Sequence, residues 1–145
     1  MFQKFNFQYI FSYLGLIPFI LILVNKYYFF IVDDEFSVNF SIYYSIVIIV
    51  FIGSANWNLN ENINTKIVLY GFAPSIFAVG IIILNLINFN YQYLIIFLIL
   101  ILFLQLIFDY YLIYSKLLVK TSFYYLRLPL TIFIEVVLFQ ILIIY

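Results

Sequence analysis

Apolar residues fill five long blocks of this chain, at about 9–24, 40–57, 67–87, 91–114 and 128–145, and polar residues gather in the short stretches between them. A hydrocarbon core of about 30 Å needs about 20 apolar residues per helix. The chain of 145 residues has room for five such spans and short loops. The pattern therefore predicts an all-α integral membrane protein, a single bundle of five transmembrane helices with no separate soluble domain.

The first block, Tyr9 to about Val24, follows a short stretch carrying Lys4 and has the outline of a secretory signal. Its downstream flank Val24-Asn25-Lys26 lacks the small-residue cleavage pattern, so it reads as an uncleaved span. Ser12, Gly15 and Pro18 lie three apart and are expected to share a face that another helix can approach closely. Asn25 to Val38 reads as a solvated loop with Lys26 and the run Asp33-Asp34-Glu35. No glycine-containing calcium-loop spacing surrounds those carboxylates. Asn39-Phe40-Ser41 fits the glycosylation triplet, a weak signal.

In the second block Ser41, Ser45, Ile49, Gly53 and Trp57 recur every four residues, and small residues on such a stripe invite helix contact. Trp57 fits an interfacial anchor. The third block holds Gly71, Pro74, Ser75, Ala78 and Gly80. Pro74 removes a backbone donor and is expected to bend the helix unless neighbours re-satisfy the freed carbonyl. Asn88-Phe89-Asn90 is a turn too short for anything but an antiparallel hairpin. The fourth block is apolar until Gln105 and Asp109, at i and i+4 on one face. The fifth opens with Arg127 and Pro129, the proline in a first turn where its missing N–H costs little. Thr131 and Glu135 follow Arg127 at four-residue steps, which puts Glu135 about 12 Å deeper than the arginine.

Composition narrows the chemistry. Hydrophobic residues make up 68% of the chain and charged residues 8%, against about 45–50% and about 25% in soluble domains. Six basic and six acidic residues cancel, and no basic run is present to neutralise a series of phosphates, so nucleic acid is not an expected partner. With no cysteine and no histidine, thiol nucleophiles, disulfides, thiolate or imidazole metal sites and histidine acid–base chemistry are excluded. Gly-rich phosphate loops are also missing. The reading is of a protein that is not an enzyme, with no metal and no cofactor.

Five spans put Lys4, Lys66, Lys116, Lys120 and Arg127 on one side and Lys26 alone on the other. The positive-inside rule then predicts the N-terminus inside and the C-terminus outside. On this topology Gly15, Pro18, Asn56, Trp57, Pro74, Ser75, Gln105, Asp109, Arg127, Pro129 and Thr131 all map to the inner half. A buried Asp109 is most cheaply accommodated by pairing, and Arg127 is the cation at its level. The expected cluster is Asn56, Trp57, Gln105, Asp109, Arg127 and Thr131, around an Asp109–Arg127 ion pair. Glu135 stands apart as an intramembrane acid. Its reading stays open between a neutral carboxyl hydrogen-bonded to a neighbouring span and a proton or cation site facing a hydrated interior.

The stretches Tyr13-Leu14-Gly15-Leu16-Ile17-Pro18-Phe19, Phe51-Ile52-Gly53 with Trp57, Pro74-Ser75, Gln105 with Asp109, and Tyr125-Leu126-Arg127-Leu128-Pro129-Leu130-Thr131 occur in that order over nearly the whole chain. Together they resemble a family of small bacterial and mitochondrial inner-membrane proteins known only as a domain of unknown function, which includes vertebrate transmembrane protein 69. The resemblance implies a five-helix protein of a bacterial cytoplasmic or mitochondrial inner membrane, with no activity to carry over. Where the family pattern has His before Trp, this chain has Asn56, so a hydrogen-bonding role survives there and a proton-transfer role does not.

Two functions lead, with a lipid-modifying enzyme ranked third. One is a non-enzymatic structural or accessory protein that packs against a larger membrane complex through apolar helix faces. Its partners would be the lipid bilayer and either another membrane protein or copies of itself. The other is a small transporter or channel component, supported by the intramembrane carboxylates Asp109 and Glu135 and the proline-broken third span.

Overall fold

Six α-helices and two π-helical turns account for most of the residues described in the computed structural model, which are 7–54, 65–114 and 123–145. The helices are α1 (Phe7–Leu14), α2 (Ile17–Val24), α3 (Asp34–Ser54), α4 (Thr65–Leu86), α5 (Tyr91–Tyr114) and α6 (Leu128–Ile144). The π-helical turns, Asn25–Phe29 and Phe123–Arg127, prolong α2 and lead into α6. No strand occurs among the described residues. Counted with these turns, five helical segments are long and apolar enough to cross a membrane.

The first segment differs from the expected single helix. It breaks at Gly15-Leu16, where Leu16 N–H turns back tightly to the Tyr13 carbonyl at 3.0 Å, and Pro18 then sits in the first turn of α2. A proline there needs no N–H partner. Ser12, Gly15 and Pro18 straddle this break, and all three are partly buried. The freed Gly15 carbonyl is taken up by the Tyr44 hydroxyl of α3 at 2.7 Å, and the Tyr44 ring meets Phe19 edge-on at 5.1 Å.

The start of α3 is a second correction. Asp33-Asp34-Glu35 does not belong to a loop reaching Val38: helix begins at Asp34, and the Asp33 carboxylate accepts the Phe36 N–H at 2.7 Å. Carboxylates at a helix start are stabilised both by the unpaired N–H groups and by the helix dipole. Ser37, expected in the loop, is buried inside α3.

α3 is the central helix, packing against α4, α5 and α2. Ser37, Ser41, Ser45, Ile49 and Gly53 form its buried stripe. The three hydroxyls are satisfied within the helix, each donating to the carbonyl four residues back at 2.7–2.9 Å. That arrangement lets polar side chains sit in an apolar interface without an unpaired donor. Gly53 lies against Pro74 and the Gly71 carbonyl of α4, so the absence of a side chain sets how close these helices come. α4 runs as one helix through Pro74.

The Ile87–Asn90 turn joins α4 to α5 as the expected hairpin, with Asn88 at φ 56° and the Asn90 side chain accepting Gln92 N–H. α6 packs on α5 and α2. Phe19, Ile42, Leu98, Leu102, Leu138 and Ile141 fill the centre between them.

Candidate functional site

Polar side chains from α4, α5 and the turn entering α6 come together against the backbone of α3 at one end of the bundle. α5 presents Gln105 and Asp109 on one inward face, one turn apart, and both are buried. The π-helical turn Phe123–Arg127 delivers Arg127 at the entrance to α6, its side chain only 12% exposed. α4 contributes Tyr70, and α3 contributes the backbone of its last two described turns.

The geometry is a linked network. Tyr70 Oη donates to Asp109 Oδ1 at 2.9 Å and lies 3.3 Å from the Gln105 carbonyl. Arg127 Nε stands 3.8 Å from Asp109 Oδ2, an ion contact longer than a hydrogen bond, while Arg127 Nη2 donates to the Ile52 carbonyl at 3.3 Å. Gln105 Nε2 donates to the Ile49 carbonyl at 3.0 Å. Below the hydroxyl, the Tyr70 ring stacks on Phe108 at 4.3 Å.

Burial raises the stakes of each contact. A carboxylate removed from water loses several kcal/mol of solvation, recovered only when a cation and hydrogen-bond donors replace the water. Asp109 has both, one from α4 and one from the start of α6. Removing either partner leaves a buried charge short of compensation. The cluster therefore ties α3, α4, α5 and α6 at a common level.

Among the expected cluster residues, Gln105, Asp109 and Arg127 come together, and Thr131 is buried one turn beyond Arg127 on α6. Asn56 and Trp57 lie outside the described residues. Gly15 and Pro18, expected as helix-packing or kink residues, stand at the break in the first segment, where the Gly15 carbonyl meets Tyr44 of α3 and the Tyr13 hydroxyl donates to the Tyr125 carbonyl at 2.6 Å. Gly53 and Pro74 form the α3–α4 contact beside the cluster, and Pro129 occupies the first turn of α6. Glu135 is only half-buried and joins no network. Its Oε1 is shielded from solvent and has no partner among the described residues, as is also true of Gln105 Oε1.

Tyr70 is the member that sequence reading missed. The signal available was its position four residues before Pro74, at the depth of Asp109, but with fifteen tyrosines in the chain that position did not stand out. A second polar network at the opposite end was also missed. Asn85 Nδ2 donates to Asn39 Oδ1 and to the Tyr43 hydroxyl at 3.1 and 2.9 Å, beside a cavity of about 640 Å³. There Lys26 Nζ bonds both Asp34 oxygens and rests 4.5 Å from the Tyr145 ring centre.

Among the described residues no group of three or more Asp or Glu side chains is arranged to hold a metal ion. Chemically, the Asp109 cluster holds charge and fixes helices. No family model, curated protein or solved structure matches the chain.

Proposed function

We propose that this chain is a multi-pass protein of a bacterial cytoplasmic or mitochondrial inner membrane, similar to the transmembrane protein 69 family, and that it serves as a non-enzymatic structural or accessory subunit. The observation that carries this reading is the direction of the polar contacts at Asp109. Tyr70 and Arg127 both turn to it, and Arg127 and Gln105 spend donors on backbone carbonyls of α3. Such a network supports rigidity better than turnover, because a transport acid must exchange partners during its cycle.

The bundle's outer surface supports the rest of the proposal. Phe77, Phe97, Leu100, Leu104, Phe108 and Tyr111 line an apolar groove of about 920 Å³ between α4 and α5. It fits an apolar helix of a larger membrane complex, held by packing where no hydrophobic drive separates helix from lipid. The orientation belongs to the same proposal, N-terminus inside and C-terminus outside, by the bias of basic residues. A cysteine placed at exposed Glu35 would then react with an impermeant maleimide from outside.

Detergent pull-down from native membrane with mass spectrometry tests the function. A large partner in fixed stoichiometry is expected. A homogeneous oligomer that passes ions in liposomes would favour the transporter reading instead, for which the unpartnered Glu135 Oε1 is the specific support.

A further inference from the structure

The connection between α2 and α3 is built in a way that a solvated loop does not require. Tyr27, Tyr28, Phe29, Phe30 and Ile31 are all exposed, Tyr28 at 77% and Ile31 at 80% of their surface. Five consecutive large apolar or aromatic side chains held out of the core need another medium to cover them.

The backbone presenting them is clamped. Asn25 Oδ1 accepts the N–H groups of Ile31 and Val32 at 3.0 and 3.1 Å, and its Nδ2 donates to the Val32 carbonyl at 3.0 Å. Phe30 N–H closes on the Asn25 carbonyl at 2.8 Å, with Phe30 at φ 51°. A left-handed phenylalanine is unfavourable by itself. One asparagine's side chain thus holds, with three hydrogen bonds, a strained backbone whose visible result is to keep an apolar run exposed. At its base, Lys26 pairs with Asp34.

We propose that residues 27–31 form a preformed interfacial wedge that packs into the headgroup and upper acyl layer of an uncharged lipid surface. This rests on the membrane-spanning reading above. Two observations select lipid as the occupant. The apolar segment of the first span ends at Phe29, so the run is continuous with the place where a spanning helix leaves hydrocarbon. Tyrosine and phenylalanine with a flanking lysine match the composition of that layer, where a ring has an apolar body and its hydroxyl reaches water. Charge decides the lipid class. Asp33, Asp34 and Glu35 adjoin the run against the single Lys26, so anionic headgroups are repelled and zwitterionic ones accepted.

The test uses the absence of native cysteine. Nitroxide labels at Tyr28→Cys, Ile31→Cys, Glu35→Cys and Val47→Cys, in the full chain in phosphatidylcholine vesicles, report collisions with oxygen from lipid and with a nickel chelate from water. Labels at 28 and 31 should collide mainly with oxygen, as at 47, while the label at 35 meets nickel. Adding Asn25→Ala should loosen the label at 28 and raise its nickel collisions. Nickel access at 28 and 31 with oxygen access at 47 overturns the wedge and leaves the spanning reading standing. Low access to both reagents at 28 and 31 means that protein covers the run, and also overturns it. Nickel access at 47 removes the spanning reading and the wedge together, and an unchanged label in the Asn25→Ala chain refutes the clamp.

Discussion

A methyl group built on Gly53 would stand 2.8 Å from Pro74 Cγ and 3.2 Å from the Gly71 carbonyl. Neither neighbour is the end of a flexible side chain, so α3 and α4 owe their separation to this one missing Cβ. Gly53 directly follows Ile52, whose carbonyl receives Arg127, and lies one turn from Ile49, whose carbonyl receives Gln105. Helix spacing and polar network are therefore set together.

Gly53→Ala should destabilise the fold by about 1–3 kcal/mol, the usual cost of overpacking a tight interface. Gly80→Ala is the matched control, because its Cβ meets nothing within 4 Å. It should be neutral or stabilise by a few tenths of a kcal/mol to about 1 kcal/mol through helix propensity. Thermal unfolding of both variants in detergent checks the contrast, and equal effects would deny the close approach.

Tyr70→Phe keeps the stack on Phe108 and deletes the hydroxyl that serves Asp109. Losing a hydrogen bond to a buried charged group costs about 1.5–3 kcal/mol. The loss should appear in denaturant titration without a change in helix content by circular dichroism. Stability equal to the parent would remove Tyr70 from the network.

The five blocks and the i, i+4 placement of Gln105 and Asp109 were legible because hydrophobic length and helical period are written in side chains. The break at Gly15 was not, since its deciding partner, Tyr44, lies 29 residues away. Nor were the Ile49 and Ile52 carbonyls, because an isoleucine's identity says nothing about which lone pairs its backbone can offer. The start of α3 was misplaced for another reason. Adjacent carboxylates favour solvent and helix N-termini alike, and only the Asp33 contact to Phe36 N–H separates the two.

That contact gives its own expectation. Asp33→Ala should cost about 0.5–2 kcal/mol and Asp33→Asn much less, since asparagine caps as well as aspartate. Amide exchange at Phe36 and Ser37 measures it locally. Unchanged protection in Asp33→Ala would show that the cap does not hold the first turn.

Glu135 behaves differently from a paired acid. With Oε1 shielded and unpartnered, Glu135→Leu should leave the isolated chain as stable as before or more so, because an unsatisfied polar group disappears. The neutral carboxyl hydrogen-bonded to a neighbouring span, one of the two readings from sequence, finds no partner for Oε1 among the described residues. Glu135→Gln should keep both the fold and partner binding in a structural role. A folded, partner-bound glutamine variant that loses ion flux or the cellular phenotype would make Glu135 the working acid of a transporter.

A double-mutant cycle in thermal or denaturant stability measures whether Asp109 and Arg127 hold the bundle as a pair. Asp109→Asn and Arg127→Gln each remove one charge of the pair, at up to about 3–5 kcal/mol when desolvation is complete. The double variant should be clearly more stable than the sum of the two losses, because neither charge is then left behind. Strict additivity of the two substitutions would contradict the pair and the account built on it.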